Sequence, residues 1–261
     1  MDLKDKVIVV TGAGSGIGRA LAIRMAAAGA KSVVCTDLNG ENASATAKQI
    51  GAQARSATLD VADEQAIKAL VAQTEKSLGT LDVFVSNAGY IQTGGLDLPT
   101  SDWTRMMTVH TWAHVAAARA VIPGMIERGG GYLLNTASAA GLLTQINSGP
   151  YAVSKHAAVG FAEWIAITYA NQGIGISLLC PQAVRTNIGG PQASGNVTTG
   201  QASFDGVLEP ETVAETCIEA IAENRFLVLP HPEVETYFQR KATDYDRWLN
   251  GMRRFRDRID D

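Results

Sequence analysis

Three side chains in the middle of the sequence could together move a proton. Tyr151 and Lys155 are four residues apart, so a helix through them would carry a phenol and an ammonium on one face. A free tyrosine has a pKa of about 10 and is a poor base at neutral pH, but a nearby positive charge favours the phenolate. Ser138, which precedes Tyr151 by thirteen residues, could orient a substrate oxygen toward the phenol. We therefore predict an acid/base site in which Tyr151 exchanges the proton.

A glycine-rich segment near the amino terminus is of the kind that binds a pyrophosphate. Residues 11–18 read TGAGSGIG and follow an apolar run. Glycines let the backbone turn tightly and approach a phosphate, while the free N–H groups of a helix start face its charge. The spacing is TGxxxGxG rather than GxGxxG, and a simple strand–helix turn remains an alternative. The cofactor contacts expected here are Gly12, Ser15, Gly16, Ile17 and Gly18.

Asp37 stands where a carboxylate could select between dinucleotide cofactors. It follows the second apolar run, 19 residues beyond Gly18. A carboxylate at this place accepts hydrogen bonds from the adenosine ribose hydroxyls and repels a 2′-phosphate. No basic residue interrupts the glycine segment, so we predict NAD rather than NADP. The alternative is that Asp37 only caps a helix that begins near Glu41.

The elements that must position these residues alternate along the chain. Apolar β-branched runs alternate with helical patterns, which predicts an α/β domain with a parallel sheet over residues 1–261. The carboxyl ends of parallel strands meet at one edge, where ligands bind. The predicted strands cover 7–10, 32–36, 54–59, 83–86, 132–136, 174–179 and 226–229. The predicted helices lie near 17–28, 41–50, 63–77, 102–127, 151–171 and 210–222.

Two segments interrupt the alternation. Residues 186–209 are rich in Gly, Ser, Thr and Gln, and a long irregular stretch of this kind is often a lid over a substrate. The tail over 231–261 has apolar residues at steps of three and four, which predicts a helix over 233–256 with one apolar face. We expect that face to be covered by a neighbouring subunit or to lie over the mouth of the active site.

Composition excludes several classes of protein. The net charge of −4 gives no basic field for nucleic acid or an anionic membrane, and no segment is long and apolar enough to span a bilayer. The three cysteines, Cys35, Cys180 and Cys217, form no metal-binding pattern and predict no disulfide framework. The charged amino terminus is unlike a signal peptide. We expect a cytoplasmic protein without a metal.

Over about residues 5–230, the sequence resembles the short-chain dehydrogenase/reductase family. The matching motifs are the glycine segment, Asp60-Val61, Asn87-Ala88-Gly89, Ser138 with Tyr151 and Lys155, and the stretch that contains Pro181, Val184 and Thr186. The resemblance implies a Rossmann-type, doubly wound, seven-stranded sheet flanked by helices, with a helical extension at the carboxyl terminus.

The resemblance also implies roles for residues outside the catalytic trio. Asp60 and Val61 would hold the adenine, and Asn87, Ala88 and Gly89 would line the cofactor cleft. Val184 and Thr186, in the segment that begins at Pro181, would secure the carboxamide. Lys155 would bind the nicotinamide ribose as well as influence the phenol, and Tyr151 would stand beside the same cofactor.

The sequence departs from the family pattern at three positions. His110 stands where the family has Asn, seven residues after Trp103, and the family's Asn-Pro-Gly reads Cys180-Pro181-Gln182. The family's Asn shapes a water site beside the lysine, so we expect His110 to hold that water and relay protons, in which case it would titrate near neutrality. The alternative is an ordinary core histidine whose imidazole only fills space. The other three histidines, His114, His156 and His231, are expected to be structural or exposed.

The predicted function is hydride transfer between NAD(H) and a secondary alcohol or its ketone. Two alternatives are an NADP-linked reductase of the 3-ketoacyl type and a non-catalytic, regulatory NAD-binding protein. Apolar residues around 90–91 and 139–143 predict a hydrophobic, cyclic or aromatic substrate, with Gln92, Gln145 and Gln182 as polar contacts. Surplus apolar residues in helices 102–127 and 151–171 predict a homotetramer or homodimer.

Overall fold

One parallel sheet of seven strands carries the residues of interest. The computed structural model describes residues 1–186, 188 and 201–260. The strand order is β3-β2-β1-β4-β5-β6-β7, and every neighbouring pair is parallel. The order of strands along the sheet therefore reverses between β1 and β4. The carboxyl ends of these two strands are the place where an open α/β sheet binds ligands. The strands are β1 (Val7–Thr11), β2 (Ser32–Asp37), β3 (Ala54–Thr58), β4 (Val83–Ser86), β5 (Gly131–Thr136), β6 (Ile174–Leu179) and β7 (Leu227–Val228).

Helices cover both faces of this sheet. Successive side chains of a strand point to opposite faces, so Val7 and Val9 of β1 join one apolar layer while Ile8 and Val10 join the other. The first layer is shared with α3, α5 and α7, and the second with α1 and α8. The helices are α1 (Gly16–Ala27), α2 (Gly40–Ile50), α3 (Glu64–Leu78), α4 (Thr100–Met107), α5 (Ala113–Glu127), α6 (Ala140–Leu143), α7 (Gly149–Tyr169), α8 (Pro210–Glu223), α9 (Glu233–Thr243) and α10 (Tyr245–Asp260).

The predicted sheet is confirmed, but the helix predicted over 102–127 is wrong as one element. A π-helical turn over Thr108–Trp112 separates α4 from α5, and the Ala113 N–H bonds the Thr108 carbonyl. A π turn takes up one extra residue, so the apolar face continues on both sides of it and periodicity alone misses the change. His110 lies within this turn.

The tail helix predicted over 233–256 is likewise two helices. Asp244 divides them, and its carboxylate accepts a hydrogen bond of 3.0 Å from the Arg247 N–H, which caps the start of α10. The predicted apolar face is only partly covered, because Tyr245 is 56% exposed and Leu249 is 43% exposed. The tail nevertheless contacts the end of the predicted lid through the Phe204 and Phe255 rings, whose centroids are 5.7 Å apart.

The predicted lid over 186–209 lies mostly outside the described residues. Its described end, residues 201–209, returns to the sheet beside Val184, which pairs with Leu208. None of the described helices is long and apolar enough to cross a membrane. All three cysteines are buried and free.

Candidate active site

The glycine turn brings the backbone of β1 and α1 against the end of β4. Gly12 has φ +67°, and a Cβ there would stand 2.9 Å from the Ala88 Cα. Gly16 has φ +50°, and a Cβ there would stand 2.7 Å from Cγ2 of Thr186. Only glycine fits these positions without displacing backbone or a neighbouring side chain. Because α1 begins at Gly16, its free N–H groups open onto the same edge, so the turn fits a dinucleotide pyrophosphate.

Asp37 is held beside this turn by two backbone hydrogen bonds. Its Oδ2 accepts from the Gly14 N–H at 2.9 Å, and its Oδ1 accepts from the Asn39 N–H at 2.9 Å. The alternative that Asp37 caps α2 is wrong, because Asn39 is the cap and accepts from the Glu41 and Asn42 N–H groups. The carboxylate is therefore oriented toward the glycine turn by the turn itself.

Asn87 and Thr11 join three strands below the cleft. The Thr11 hydroxyl accepts from the Asn87 N–H at 2.9 Å and from the Ala88 N–H at 3.1 Å, and it donates to the Val85 carbonyl. The Asn87 amide donates to the Thr11 carbonyl and accepts from the Thr136 hydroxyl. These bonds fix the loop that follows β4 relative to β1 and β5.

The remaining predicted cofactor residues lie at the same edge. The Asp60 carboxylate accepts from the Ala62 N–H at 2.9 Å, and Val61 and Ala88 line one small cavity of about 10 Å³ together with His114. Val184 is buried beside Leu208, and the Pro181 carbonyl accepts from the Ala139 N–H at 2.9 Å. Like Asn87, Gly89 and the glycine turn, they follow the carboxyl ends of the strands.

The predicted catalytic trio is brought together at the start of α7. Tyr151 and Lys155 are buried, and the Lys155 Nζ lies 5.5 Å from the centroid of the Tyr151 ring. The same Nζ donates a 3.1 Å hydrogen bond to the Thr136 carbonyl at the end of β5. Ser138 lies close enough to the Tyr151 phenol to lower its pKa, and its hydroxyl donates to the Pro181 carbonyl at 3.4 Å. Its Oγ also accepts from the Ala140 N–H at 3.1 Å, so the hydroxyl is oriented by the first turn of α6.

Burial dominates the protonation of this trio. It raises the pKa of Tyr151, and the hydrogen bond from Ser138 offsets that only in part. It lowers the pKa of Lys155 from 10.5 to about 8. In the residues of the chain alone the pKa of Tyr151 therefore stays above its ordinary value, because burial disfavours the charged phenolate.

His110 lies between the cofactor cleft and α7. Its Nε2 accepts from the Tyr90 N–H at 3.2 Å, and its Nδ1 lies 2.9 Å from the Ser154 Oγ. Burial lowers its pKa well below 6.5, and the charge of Lys155 lowers it further. Both effects favour the neutral imidazole, which is evidence against the expectation that His110 titrates near neutrality.

The other histidines are not placed at the catalytic trio by any hydrogen bond. His156 is exposed, whereas His114 and His231 are buried, and burial lowers the pKa of His114 to about 3. Cys180 lies near the trio, with a thiol pKa raised by burial to about 12. No cluster that could hold a metal ion occurs within the part of the chain that the structure describes.

Ser154 and the Thr136 carbonyl are site groups that no motif predicted. Ser154 is fully buried although it is polar, and it stands three residues after Tyr151 on the same face of the helix. That spacing was the available signal. The Thr136 carbonyl had none, because a backbone acceptor leaves no trace in the residue type.

Comparison with known proteins shows the family to which the chain belongs. Residues 6–196 match the family model described as short chain dehydrogenase. This chain is a short-chain dehydrogenase. It is thus an oxidoreductase that acts on CH–OH groups with a nicotinamide cofactor, and the resemblance inferred from the motifs is confirmed.

Individual relatives align over most of this dehydrogenase. It is 34% identical to 1-deoxy-11-beta-hydroxypentalenate dehydrogenase of Streptomyces exfoliatus, over 96% of this chain and 92% of the relative. It is 39% identical to 2,5-dichloro-2,5-cyclohexadiene-1,4-diol dehydrogenase of Sphingobium indicum, over 71% of this chain and 75% of the relative. A short chain dehydrogenase/reductase from Burkholderia phymatum, solved in complex with NAD, superimposes with a TM-score of 0.84 at 30% identity, over 94% of this chain and 96% of the other.

Proposed function

We propose that this dehydrogenase transfers a hydride between NAD(H) and a hydrophobic, cyclic secondary alcohol or its ketone. The observation that carries the proposal is the buried trio, in which Ser138 lies beside the Tyr151 phenol and the Lys155 Nζ lies 5.5 Å from the centroid of its ring. A phenol, an ammonium and a hydroxyl in this arrangement can hold an alcohol oxygen and exchange its proton.

Each member of the trio has one task in the oxidation. Ser138 donates a hydrogen bond to the alcohol oxygen and orients it toward the phenol. Tyr151, as the phenolate, takes the hydroxyl proton while a hydride leaves the carbon, so the alcohol becomes a carbonyl. Lys155 places a positive charge beside the phenolate and favours it. In the reduction the same groups act in reverse.

The cofactor is held by residues of the cleft. Gly12, Ser15, Gly16, Ile17 and Gly18 would bind the pyrophosphate, and Asp37 the adenosine ribose. Asp60 and Val61 would hold the adenine, while Asn87, Ala88 and Gly89 line the cleft. Pro181, Val184 and Thr186 would secure the nicotinamide end, next to Tyr151 and Lys155. Hydride acceptance or donation is the chemistry that the bound nicotinamide supplies. The preference for NAD rests on the oriented carboxylate of Asp37.

Apolar walls around Tyr151 support a hydrophobic substrate. Met106 and Ala140 pack with Tyr151 in a small apolar cluster, and Tyr90 and Ile91 pack against it. The three glutamines named as polar contacts already have partners: Gln92 bonds Asp102, Gln182 bonds Asp205, and Gln145 bonds the Ile146 carbonyl. The relatives named for a hydroxypentalenate and a cyclohexadienediol act on ring compounds, which supports a cyclic alcohol here.

A paired Tyr→Phe substitution tests the function. With NAD and a panel of cyclic and linear secondary alcohols, Tyr151→Phe should lower kcat by at least about 100-fold while NAD still binds, because the ring stays and the transferable proton is lost. Ser138→Ala should also lower kcat. Tyr132→Phe is the matched control, since its buried hydroxyl bonds only Ser177, at 2.8 Å and away from the site. Near-normal turnover of Tyr151→Phe would contradict the proposal.

We propose that two subunits of this dehydrogenase associate through the outer face of α7. Val153, Trp164 and Ile167 are half to mostly exposed and recur on one side of the helix, and Trp112 of the π turn is 56% exposed. An exposed apolar stripe of this kind is typical of a protein interface. Not every apolar residue of these helices is available for such an interface, because Val121 and Ile165 belong to the core. The free buried thiols are compatible with a cytoplasmic location.

A further inference from the structure

His110 is the middle of a chain of hydrogen bonds that runs from the cofactor cleft to the catalytic helix. The Tyr90 N–H, in the loop after β4, donates to the His110 Nε2 at 3.2 Å. The His110 Nδ1 lies 2.9 Å from the Ser154 Oγ. The Ser154 hydroxyl in turn donates to the Tyr151 carbonyl at 3.0 Å. The chain thus ends on the backbone of the residue that exchanges the proton.

The direction of each bond fixes the state of the imidazole. A backbone N–H can only donate, so the Nε2 that receives the Tyr90 N–H must carry a lone pair. In the neutral ring the proton is then on Nδ1, which donates to the Ser154 Oγ. The Ser154 Oγ accepts that hydrogen bond and donates its own to the Tyr151 carbonyl. Every donor in the series meets one acceptor, and both ring nitrogens are used.

We propose that His110 is a positioning residue that ties the cofactor-cleft loop to Tyr151 through Ser154. The inference rests on the proposed function, because it assigns to His110 the placement of that function's acid/base group. It replaces the proton relay expected from the sequence: a ring with both nitrogens bonded inside the protein has no atom left to pass a proton to water.

The surroundings of His110 support a fixed, neutral ring. It is fully buried, and its ring meets the Tyr151 ring in a T-shaped contact with centroids 5.4 Å apart. A Cβ on Gly89 would stand 3.2 Å from its Nε2, so the cleft loop closes against the ring. The charged or titratable groups that act on it, Lys155 and His114, both oppose a positive charge there.

Two conservative variants separate the two halves of this bridge. The amide of an Asn stands near the Nδ1 position and can still donate to Ser154, whereas the longer Gln places its oxygen near Nε2 and can still accept from Tyr90. We expect His110→Leu to lower kcat about 10- to 100-fold at saturating NAD, with the KM for NAD changed less than about 3-fold. His110→Asn and His110→Gln should both fall between wild type and Leu.

Ser154→Ala and Thr111→Val complete the set. If His110 acts through Ser154, the double variant His110→Leu, Ser154→Ala should be no slower than His110→Leu alone. Thr111 is the matched control: it is one residue away, it is buried, and its hydroxyl donates to the Ser154 carbonyl at 3.0 Å without reaching Tyr151. Thr111→Val should keep the wild-type kcat. A control that slows as much as His110→Leu would overturn the proposal, because general packing would then explain both.

Two readouts distinguish positioning from relay. The 15N NMR signals of His110 should show a neutral ring protonated at Nδ1 from pH 5.5 to 9, and the pH profile of kcat should keep its shape in His110→Leu. A His110 that titrates within that range, or a limb of the wild-type profile that disappears in His110→Leu, would establish the relay instead. Wild-type kcat in His110→Leu would remove both roles. Failure of the proposed function itself is recognised separately, by an active Tyr151→Phe.

Discussion

The cofactor preference assigned to Asp37 can be tested through its charge alone. In Asp37→Ser the side chain becomes neutral and too short to accept from both the Gly14 and Asn39 N–H groups, which now bond Oδ2 and Oδ1 at 2.9 Å each. The glycine turn itself keeps its other contacts, among them the Ala13 N–H to the Thr36 carbonyl at 2.8 Å. We therefore expect a working enzyme with a changed preference.

The magnitude follows from the electrostatics of a partly exposed carboxylate. Two unit charges about 4 Å apart repel by about 1 kcal/mol in bulk water and by about 4 kcal/mol near a protein surface. A 2′-phosphate carries more than one charge at neutral pH. The wild type should thus favour NAD over NADP by at least about tenfold in kcat/KM, equivalent to about 1.4 kcal/mol. In Asp37→Ser, the ratio should move toward one by at least that factor.

Initial rates with NAD and with NADP, at several concentrations of each, measure the ratio directly. Glu41→Gln is the control, since it removes a negative charge from the first turn of α2 without touching the glycine turn. It should leave the ratio unchanged. Equal use of both cofactors by the wild type would refute the role given to Asp37, and so would a shift in Glu41→Gln as large as that in Asp37→Ser.

Three further predictions concern stability and assembly. Lys155 has a pKa of about 10.5 in the unfolded chain and about 8 in the folded chain. As pH rises through that range, the free energy of unfolding of the wild type should therefore increase by up to about 3 kcal/mol relative to Lys155→Met, as measured by urea unfolding. His114 has a folded-state pKa of about 3, so the free energy of unfolding of the wild type should fall by about 2 kcal/mol between pH 7 and 5. His114→Leu should not show this decrease, whereas the control His156→Gln, at an exposed position, should show it. Ile167→Glu, at a position 83% exposed, should convert an oligomer into smaller species in sedimentation at micromolar concentration, and a monomeric wild type would contradict the pairing.

The sequence determined the sheet and was enough to predict the catalytic trio. Alternating apolar runs and helical patterns give a parallel sheet because each run must be buried on both faces. The glycine turn could be recognised because Gly12 and Gly16 occupy positive φ, where other residues are strained. Tyr151 and Lys155 could be paired because four residues make about one helical turn.

The interruptions of helices were decided by tertiary contacts. The π turn over Thr108–Trp112 and the break at Asp244 both lie inside apolar patterns that continue on either side. Hydrophobic periodicity reports which side of an element is buried, but one extra residue in a turn or a single capping carboxylate changes the path without changing that pattern. Asp244 could have been read as a cap; the π turn had no comparable signal.

The protonation of the site and the role proposed for His110 could be inferred only from the tertiary structure. Residue types indicated that an ammonium would favour a phenolate, yet the depth of burial decided the direction of the Tyr151 pKa, and burial depends on every element packed around α7. His110 could be singled out because it departs from the family pattern. Its partners, the Tyr90 N–H and the Ser154 hydroxyl, are 20 and 44 residues away in sequence, and only the folded chain brings them to opposite sides of one ring.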